Sequence, residues 1–438
     1  MQRIAIVLLL GAVAGTARAD EPVTYTKDVA KILWARCAAC HRPGEVGPFS
    51  LLTYDDAAKR AEFIAQVTAE RRMPPWHAEP GYGEFLDDRR LNDDELATIA
   101  AWAEAGAPQG DPSDLPQPPS FREGWQLGTP DLVLRLPEPF DVPADGRDVF
   151  RCFVIPTGVH EDRTVAAVEF RPGNRRMVHH ALFFLDNTGR ARERDELDAG
   201  PGYVSFGGVG IMPTGALGGW APGGTPRRLP EGMGRMLRKD SDLVMQVHYH
   251  PNGKPETDQS ELGIYFTREP AKRIVAGIFV VNRDIHIPPG EKQHRVAAEF
   301  TTPVDIEAVG VSPHMHYLGR EMRVTAHLPD GSEQAMIWVR DWDFNWQTQY
   351  LYKQPMKLPA GTRIVAEAVY DNSADNPRNP NDPPRWVSFG EQTTNEMCLC
   401  GIPFIARSRD DYMQVIGAMI RSSNPLLRWQ QLFGKRTE

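Results

Sequence analysis

The spacing of apolar residues changes along this chain. Between residues 27 and 36, Val29, Ile32 and Leu33 recur at the i, i+3, i+4 spacing of one helix face. A second helical stretch follows Thr53, whose T-x-x-D pattern with Asp56 predicts a capping box; it ends near Arg72, ahead of a proline pair. A third begins at Asn92, with Glu95 three residues on, and stops at Gly106 before Pro108. The Pro-rich polar stretch 108–120 reads as a semi-extended linker. Beyond it the helical period fades. LVLRL, AAVEF, LVMQVHYH, FVVN, EAVGVS and RIVAEAVY are short apolar runs separated by Gly, Pro, Asn and Asp, the pattern of antiparallel sandwiches. Helical spacing returns only after about Arg409. The expected fold is multidomain: a small all-α domain over 20–112, a linker over 113–121, an all-β region over 122–406 and a helical tail over 407–438.

At 438 residues the chain is too long for one core, which agrees with two or three domains. Residues 1–19 read as a secretory signal: Arg3, an apolar stretch from Ile4 to Val13, then Ala17-Arg18-Ala19 ahead of Asp20. That stretch is too short to span a bilayer, and no later one reaches about 18 apolar residues. The expectation is an exported, periplasmic protein with no membrane span. Without Arg3 and Arg18 the chain has 47 basic and 58 acidic residues, a net charge of −11. This balance argues against nucleic acid or an anionic membrane as partner.

Two of the five cysteines lie in Cys37-Ala38-Ala39-Cys40-His41. CxxCH fits a covalent c-type haem, with two thioethers to the porphyrin and the adjacent His on the iron. A thioredoxin-like redox pair is the rival reading, but no βαβ pattern surrounds the motif. Three helices with CxxCH closing the first resemble a small class I cytochrome c over about residues 22–112. Such a domain needs a sixth iron ligand. Met73, on the Arg72-Met73-Pro74-Pro75-Trp76 loop, is the first candidate and His77 the second. Thioether ligation raises the reduction potential, which suits an electron carrier.

Six of the twelve histidines fall in three motifs: His179-His180, His248-Tyr249-His250 and His314-Met315-His316. Residues i and i+2 of a strand share a face, so His314 and His316 can approach one ion together. Neighbours such as His179 and His180 point to opposite faces of a regular strand and need a reason to meet. Buried imidazoles need partners, and a metal serves several at once. Imidazole suits Zn, Cu, Fe and Ni; no carboxylate at ligand spacing favours non-haem iron, and no Cys beside a His suggests blue copper. Met397, in Thr394-Asn395-Glu396-Met397-Cys398, offers a thioether, and a His₂Met set suits copper cycling between Cu(I) and Cu(II). His160, His286, His294 and His327 stand isolated.

The order of these stretches resembles the copper type II, ascorbate-dependent monooxygenases. The matching stretches are Val178-His179-His180, Trp220-Ala221-Pro222, Leu229-Pro230-Glu231-Gly232, Gln246-Val247-His248-Tyr249, Ile287-Pro288-Pro289-Gly290-Glu291, His314-Met315-His316-Tyr317-Leu318-Gly319 and Glu396-Met397-Cys398. The resemblance implies two jelly-roll-like sandwich domains, 122–273 and 274–406, each with one copper, facing across a water-filled cleft. It assigns His179, His180 and His248 to an electron-transfer copper, and His314, His316 and Met397 to the copper where O₂ meets the substrate C–H bond. Gln246 matches a residue implicated in electron passage, and His250 carries no ligand role. Ser312 and Gly401 stand where peptide-amidating members place an Arg and a Tyr for the substrate carboxylate, so a glycine-extended peptide is not the expected substrate. The family's partners for Cys152 and Cys398 are missing, so Cys152, Cys398 and Cys400 can form one disulfide at most. The expectation is an exported copper monooxygenase with two coppers and one haem c. It would act on a small molecule with O₂, its haem fed by a periplasmic donor. The alternative is a copper and haem electron-transfer or sensor protein without oxygenase turnover.

Overall fold

The computed structural model describes residues 22–205 and 208–423, so the signal reading of 1–19 and the end of the tail lie outside it. The chain divides into two compact units: residues up to Pro74 with Arg90–Pro119, and Pro75–Arg89 with everything from Ser120.

The regular elements among the first unit's described residues are all helices. A π-helical turn, Tyr25–Val29, runs into the α-helix Ala30–Arg36, which delivers the CxxCH turn at its C-terminal end. The predicted second helix is two: Tyr54–Ala58, capped by Thr53, and Ala61–Ala69. The third, Asp93–Glu104, starts at Asn92 as expected and closes a capping box there: the Glu95 amide donates to Asn92 Oδ1 (2.8 Å), and the Asn92 amide to Glu95 Oε2 (2.9 Å). Their apolar faces meet in a core of Tyr25, Val29, Leu33, Ile64, Ile99 and Trp102. The Tyr25 and Thr26 amides donate to the Pro108 and Gln109 carbonyls at 3.0 and 2.9 Å, which anchors the first part of the Pro-rich stretch.

The second unit holds two packed sandwiches and the short C-terminal helix Arg409–Ser423. The N-terminal sandwich packs its Val178–Asp186, Asp242–Tyr249, Val149–Pro156 and Gly215–Trp220 sheet over a core including Phe153, Phe183, Met245 and Tyr249. The C-terminal one pairs Cys398–Ala406 with Arg273–Asn282 and Ile306–His314, over a core including Met322, Ile364 and Phe404. Met233–Leu237 runs parallel to Arg273–Asn282, so one sheet continues from the first sandwich into the second. Residues 75–89, read from sequence with the helical domain, join this unit. Trp76, Ala78 and Phe85 pack on the C-terminal core, and Ala78 and Phe85 bridge to Val339 and Tyr352. Cys152, Cys398 and Cys400 are buried and unpaired, and burial pushes each thiol up to about 12. None of the described helices is long and apolar enough to cross a membrane.

Candidate metal centres

The adjacent histidines meet through a break in register. Val178 stands opposite Tyr249 and His180 opposite His248, leaving His179 as the extra residue of a β-bulge. The bulge turns His179 toward the face that His180 and His248 share. The Nδ1 atoms of His179 and His180 then lie 3.2 Å apart, and those of His180 and His248 3.3 Å apart. Imidazole nitrogens each about 2.0 Å from one tetrahedral ion stand about 3.3 Å from one another. The single N–H or lone pair at His180 Nδ1 points in one direction and cannot bond well to both neighbours at once, whereas one cation can take a lone pair from all three rings of the trio. Among the described residues it is the one set of three or more His, Cys, Asp or Glu side chains close enough to share an ion. Burial holds His179 down to about 3 and His180 well below its usual value, with His248 reinforcing both. Their lone pairs are therefore available at neutral pH.

Support comes from behind the trio. Phe150, directly across the ladder, stacks on His248 at 4.2 Å between centroids and 13° between planes. Asp148 places Oδ1 2.7 Å from His250 Nδ1 and Oδ2 3.4 Å from His248 Nε2, the second within ion-pair reach of the ring but short of a hydrogen bond. The nearby histidines hold the Asp148 carboxyl below the usual carboxylate range despite its burial. Gln246, on the same face two residues before His248, is buried and donates to the Gly208 carbonyl (3.2 Å).

The second pair is arranged differently. His314 ends the Ile306–His314 strand and His316 lies just beyond it, their rings 5.1 Å apart at 86°. Gln347 Oε1 lies 2.6 Å from His314 Nδ1, and the Asn395 carbonyl lies 3.1 Å from His316 Nδ1. Both Nδ1 atoms are thereby engaged as donors, which leaves both Nε2 atoms as acceptors for an ion. Burial holds His316 down to about 3 and lowers His314. Glu396, fully buried, ties this turn to the chain that carries Met397. Its Oε2 accepts from the His316 and Met397 amides at 2.9 and 3.1 Å, and its Oε1 from the Leu318 amide at 2.7 Å. Burial pushes this carboxyl up to about 8 against those bonds. Met397 is half-buried, and its carbonyl accepts from the Tyr370 hydroxyl (2.8 Å).

The expected water-filled cleft is closed at one point. Phe344, 3% exposed, lies flat on His179 (4.8 Å, 14°) and meets the edge of His316 (5.6 Å, 85°). A buried aromatic ring occupies that place because its faces and edge find an imidazole on each side.

In the helical unit, the His41 amide donates to the Cys37 carbonyl (2.9 Å), and His41 Nδ1 lies 3.2 Å from the Phe49 carbonyl. This again leaves Nε2 as the free acceptor. Burial, with the Cys40 thiol adding to it, pushes the Cys37 thiol up to about 12. The Met73 amide donates to the Val67 carbonyl (3.1 Å), and its side chain is 39% exposed, not core filler. His77 lies in the other unit, where burial lowers it beside Asp341 and Asp343.

Sequence reasoning missed Asp148, Phe344, Gln347 and the role of Glu396. Only Glu396 left a trace, as the residue before Met397.

Residues 274–414 match the family model described as copper type II ascorbate-dependent monooxygenase, C-terminal domain. The chain is 29% identical over 210 residues to the human (Homo sapiens) DBH-like monooxygenase protein 1, covering 43% of this chain and 32% of that protein. It is 27% identical over 287 residues to peptidylglycine alpha-amidating monooxygenase of Rattus norvegicus, covering 62% of this chain and 26% of that one. The chain thus spans about a third or less of either relative. One solved structure, the infectious bursal disease virus VP2 subviral particle, aligns over 66% of this chain and 73% of its own at 7% identity. Its TM-score of 0.19 gives it no weight for the fold. His314, His316 and Met397 all fall within the stretch similar to the copper type II ascorbate-dependent monooxygenase C-terminal domain.

Proposed function

We propose that this chain is an exported copper monooxygenase that hydroxylates a C–H bond of a small organic substrate with O₂, drawing electrons through a c-type haem on its own helical unit. The observation that carries the reading is the convergence of three imidazole Nδ1 atoms at 3.2 and 3.3 Å in the unit that also holds the His314–His316 pair. Copper at the two centres would supply one-electron redox chemistry at one and O₂ activation at the other. His179, His180 and His248 hold the first ion, with Asp148 and Phe150 fixing His248. His314, His316 and Met397 hold the second, on one jelly-roll-like sandwich each. Gln347 and the Asn395 carbonyl set the two rings so that Nε2 faces the ion.

Ser312 and Gly401 stand opposite each other in register, two residues from His314. Neither offers a positive charge or a phenol, so the substrate is one with no carboxylate to hold there. In the helical unit, Cys37 and Cys40 would hold the haem through thioethers, and His41 Nε2 and the Met73 thioether would be its iron ligands. Val46, Phe63 and Met73 are exposed apolar residues of this unit, at 38%, 51% and 39%.

The test uses the full chain, haem-matured and copper-loaded, reduced anaerobically and mixed with air and a panel of neutral small molecules. The expected result is haem reoxidation coupled to O₂ uptake and a product heavier by one oxygen atom. Haem that reoxidises with no oxygenated product from any panel member would favour the electron-transfer reading. Haem that stays reduced would remove it from the electron path.

A further inference from the structure

One loop touches both histidine centres. Between the strands Glu333–Val339 and Tyr350–Leu358 the chain reads Asp341-Trp342-Asp343-Phe344-Asn345-Trp346-Gln347. Trp342 Nε1 donates to the His316 carbonyl (3.1 Å), and Gln347 holds His314. Phe344 stacks on His179, meets the edge of His316 and lies 4.5 Å from the Tyr317 ring. Trp346 packs on Gly223 of the N-terminal sandwich so closely that a Cβ there has no room. The loop itself is held: the Asn345 and Trp346 amides donate to Asp343 Oδ1 and its carbonyl at 2.9 and 3.1 Å, and Arg378 pairs with Asp341 at 3.0 Å.

We infer that Phe344 is a positioning residue that couples the two metal centres, so that an ion at one raises the affinity of the other. The inference rests on the copper reading above. An ion at the trio fixes the His179 ring. Phe344 lies flat against that ring and at right angles to His316, so the plane set at His179 carries across to His316. The second ion then meets an imidazole already held in place, and coupling of this kind is reciprocal. The sandwiches are also pinned near this contact by a separate segment. The Gly208 amide donates to Glu391 Oε1 (2.8 Å) and Gln392 Nε2 to the Asp148 carbonyl (3.5 Å). Phe344 therefore sits between two faces that cannot drift apart freely.

The test is anaerobic Cu(I) titration of the full chain against a chromophoric chelator. Measurements are made in His314→Ala and His180→Ala backgrounds and in the unaltered chain, each with Phe344 and with Phe344→Ala. The expected result is a second ion bound about tenfold more tightly than the same site binds alone. Phe344→Ala should abolish that difference and Phe344→Tyr, which keeps the ring, should restore it. If Phe344→Ala does not fold, Phe344→Leu makes the same comparison, retaining apolar bulk without a flat face. Equal, independent affinities with and without Phe344 would overturn the inference while leaving two copper sites in place. Failure of every variant to take up Cu(I) would overturn the copper reading and this inference with it.

Discussion

The two histidine centres use the same side chain in opposite ways. At the trio, Nδ1 faces inward, and the geometry is set by backbone: a bulge at His179 and a ladder pairing of His180 with His248. At the His314–His316 pair, Nδ1 is tied outward to Gln347 and to the Asn395 carbonyl, and the turn hangs on one buried carboxylate. The first centre is fixed by strand register, which is shared with the sandwich core. The second is fixed by side chains distant in sequence, so it can be altered without touching the sheet.

The comparison breaks most sharply at His180, whose Nδ1 is shared by both short contacts of the trio. His180→Ala should leave one copper per chain instead of two and leave any haem spectrum unchanged, read by metal analysis and absorbance. Retention of both coppers would show that the trio is not a site.

Glu396→Ala is the next largest. It strands three buried amides and should cost about 3 kcal/mol, with loss of the copper on the His314 side only. Chemical denaturation with metal analysis reads both, and Glu396→Gln should recover most of the stability. A stability loss with both coppers kept would separate the clamp from the site.

Gln347→Leu should weaken copper at the His314 side about 10- to 100-fold and leave the trio untouched, while Asp148→Asn should do the reverse. Crossed effects would mean that the centres are not separately supported.

The smallest effect is a pH dependence of the metal-free chain. Burial holds His179 and His316 down to about 3, so the unfolded chain takes up protons from about pH 6.5 downward while the folded one resists. Stability is fully present above that point and falls as the pH drops toward 3. The Tm of the metal-free chain should decline between pH 7 and 5, and loading copper should raise the Tm while leaving a decline of the same sign. An equal slope in His179→Ala would assign the decline to other groups.

How much of this was legible varies with the range of the interaction. The helix start at Asn92 with Glu95 three residues on is local, and the sequence pattern named both residues. The helix after Thr53 was read as one because its apolar spacing runs through Arg60, yet the chain breaks there into two. Residues 75–89 were misplaced because proximity in sequence suggested the helical domain, whereas Trp76 and Phe85 find their burial on the C-terminal sandwich.

The sequence by itself determined the partition into helical and β regions and singled out the three histidine motifs, because periodicity and motif spacing are properties of neighbouring residues. The tertiary structure alone decided which imidazole nitrogen faces inward and which residues stand behind each ring. A bulge is a relation between two strands, and nothing in Val178-His179-His180 reveals that Tyr249 and His248 will lie opposite it. Asp148, Phe344 and Gln347 carry no local mark for the same reason. A carboxylate, a phenyl ring and an amide become support for a metal centre only when register and loop path bring them, from up to 165 residues away, to the faces where buried imidazoles need partners.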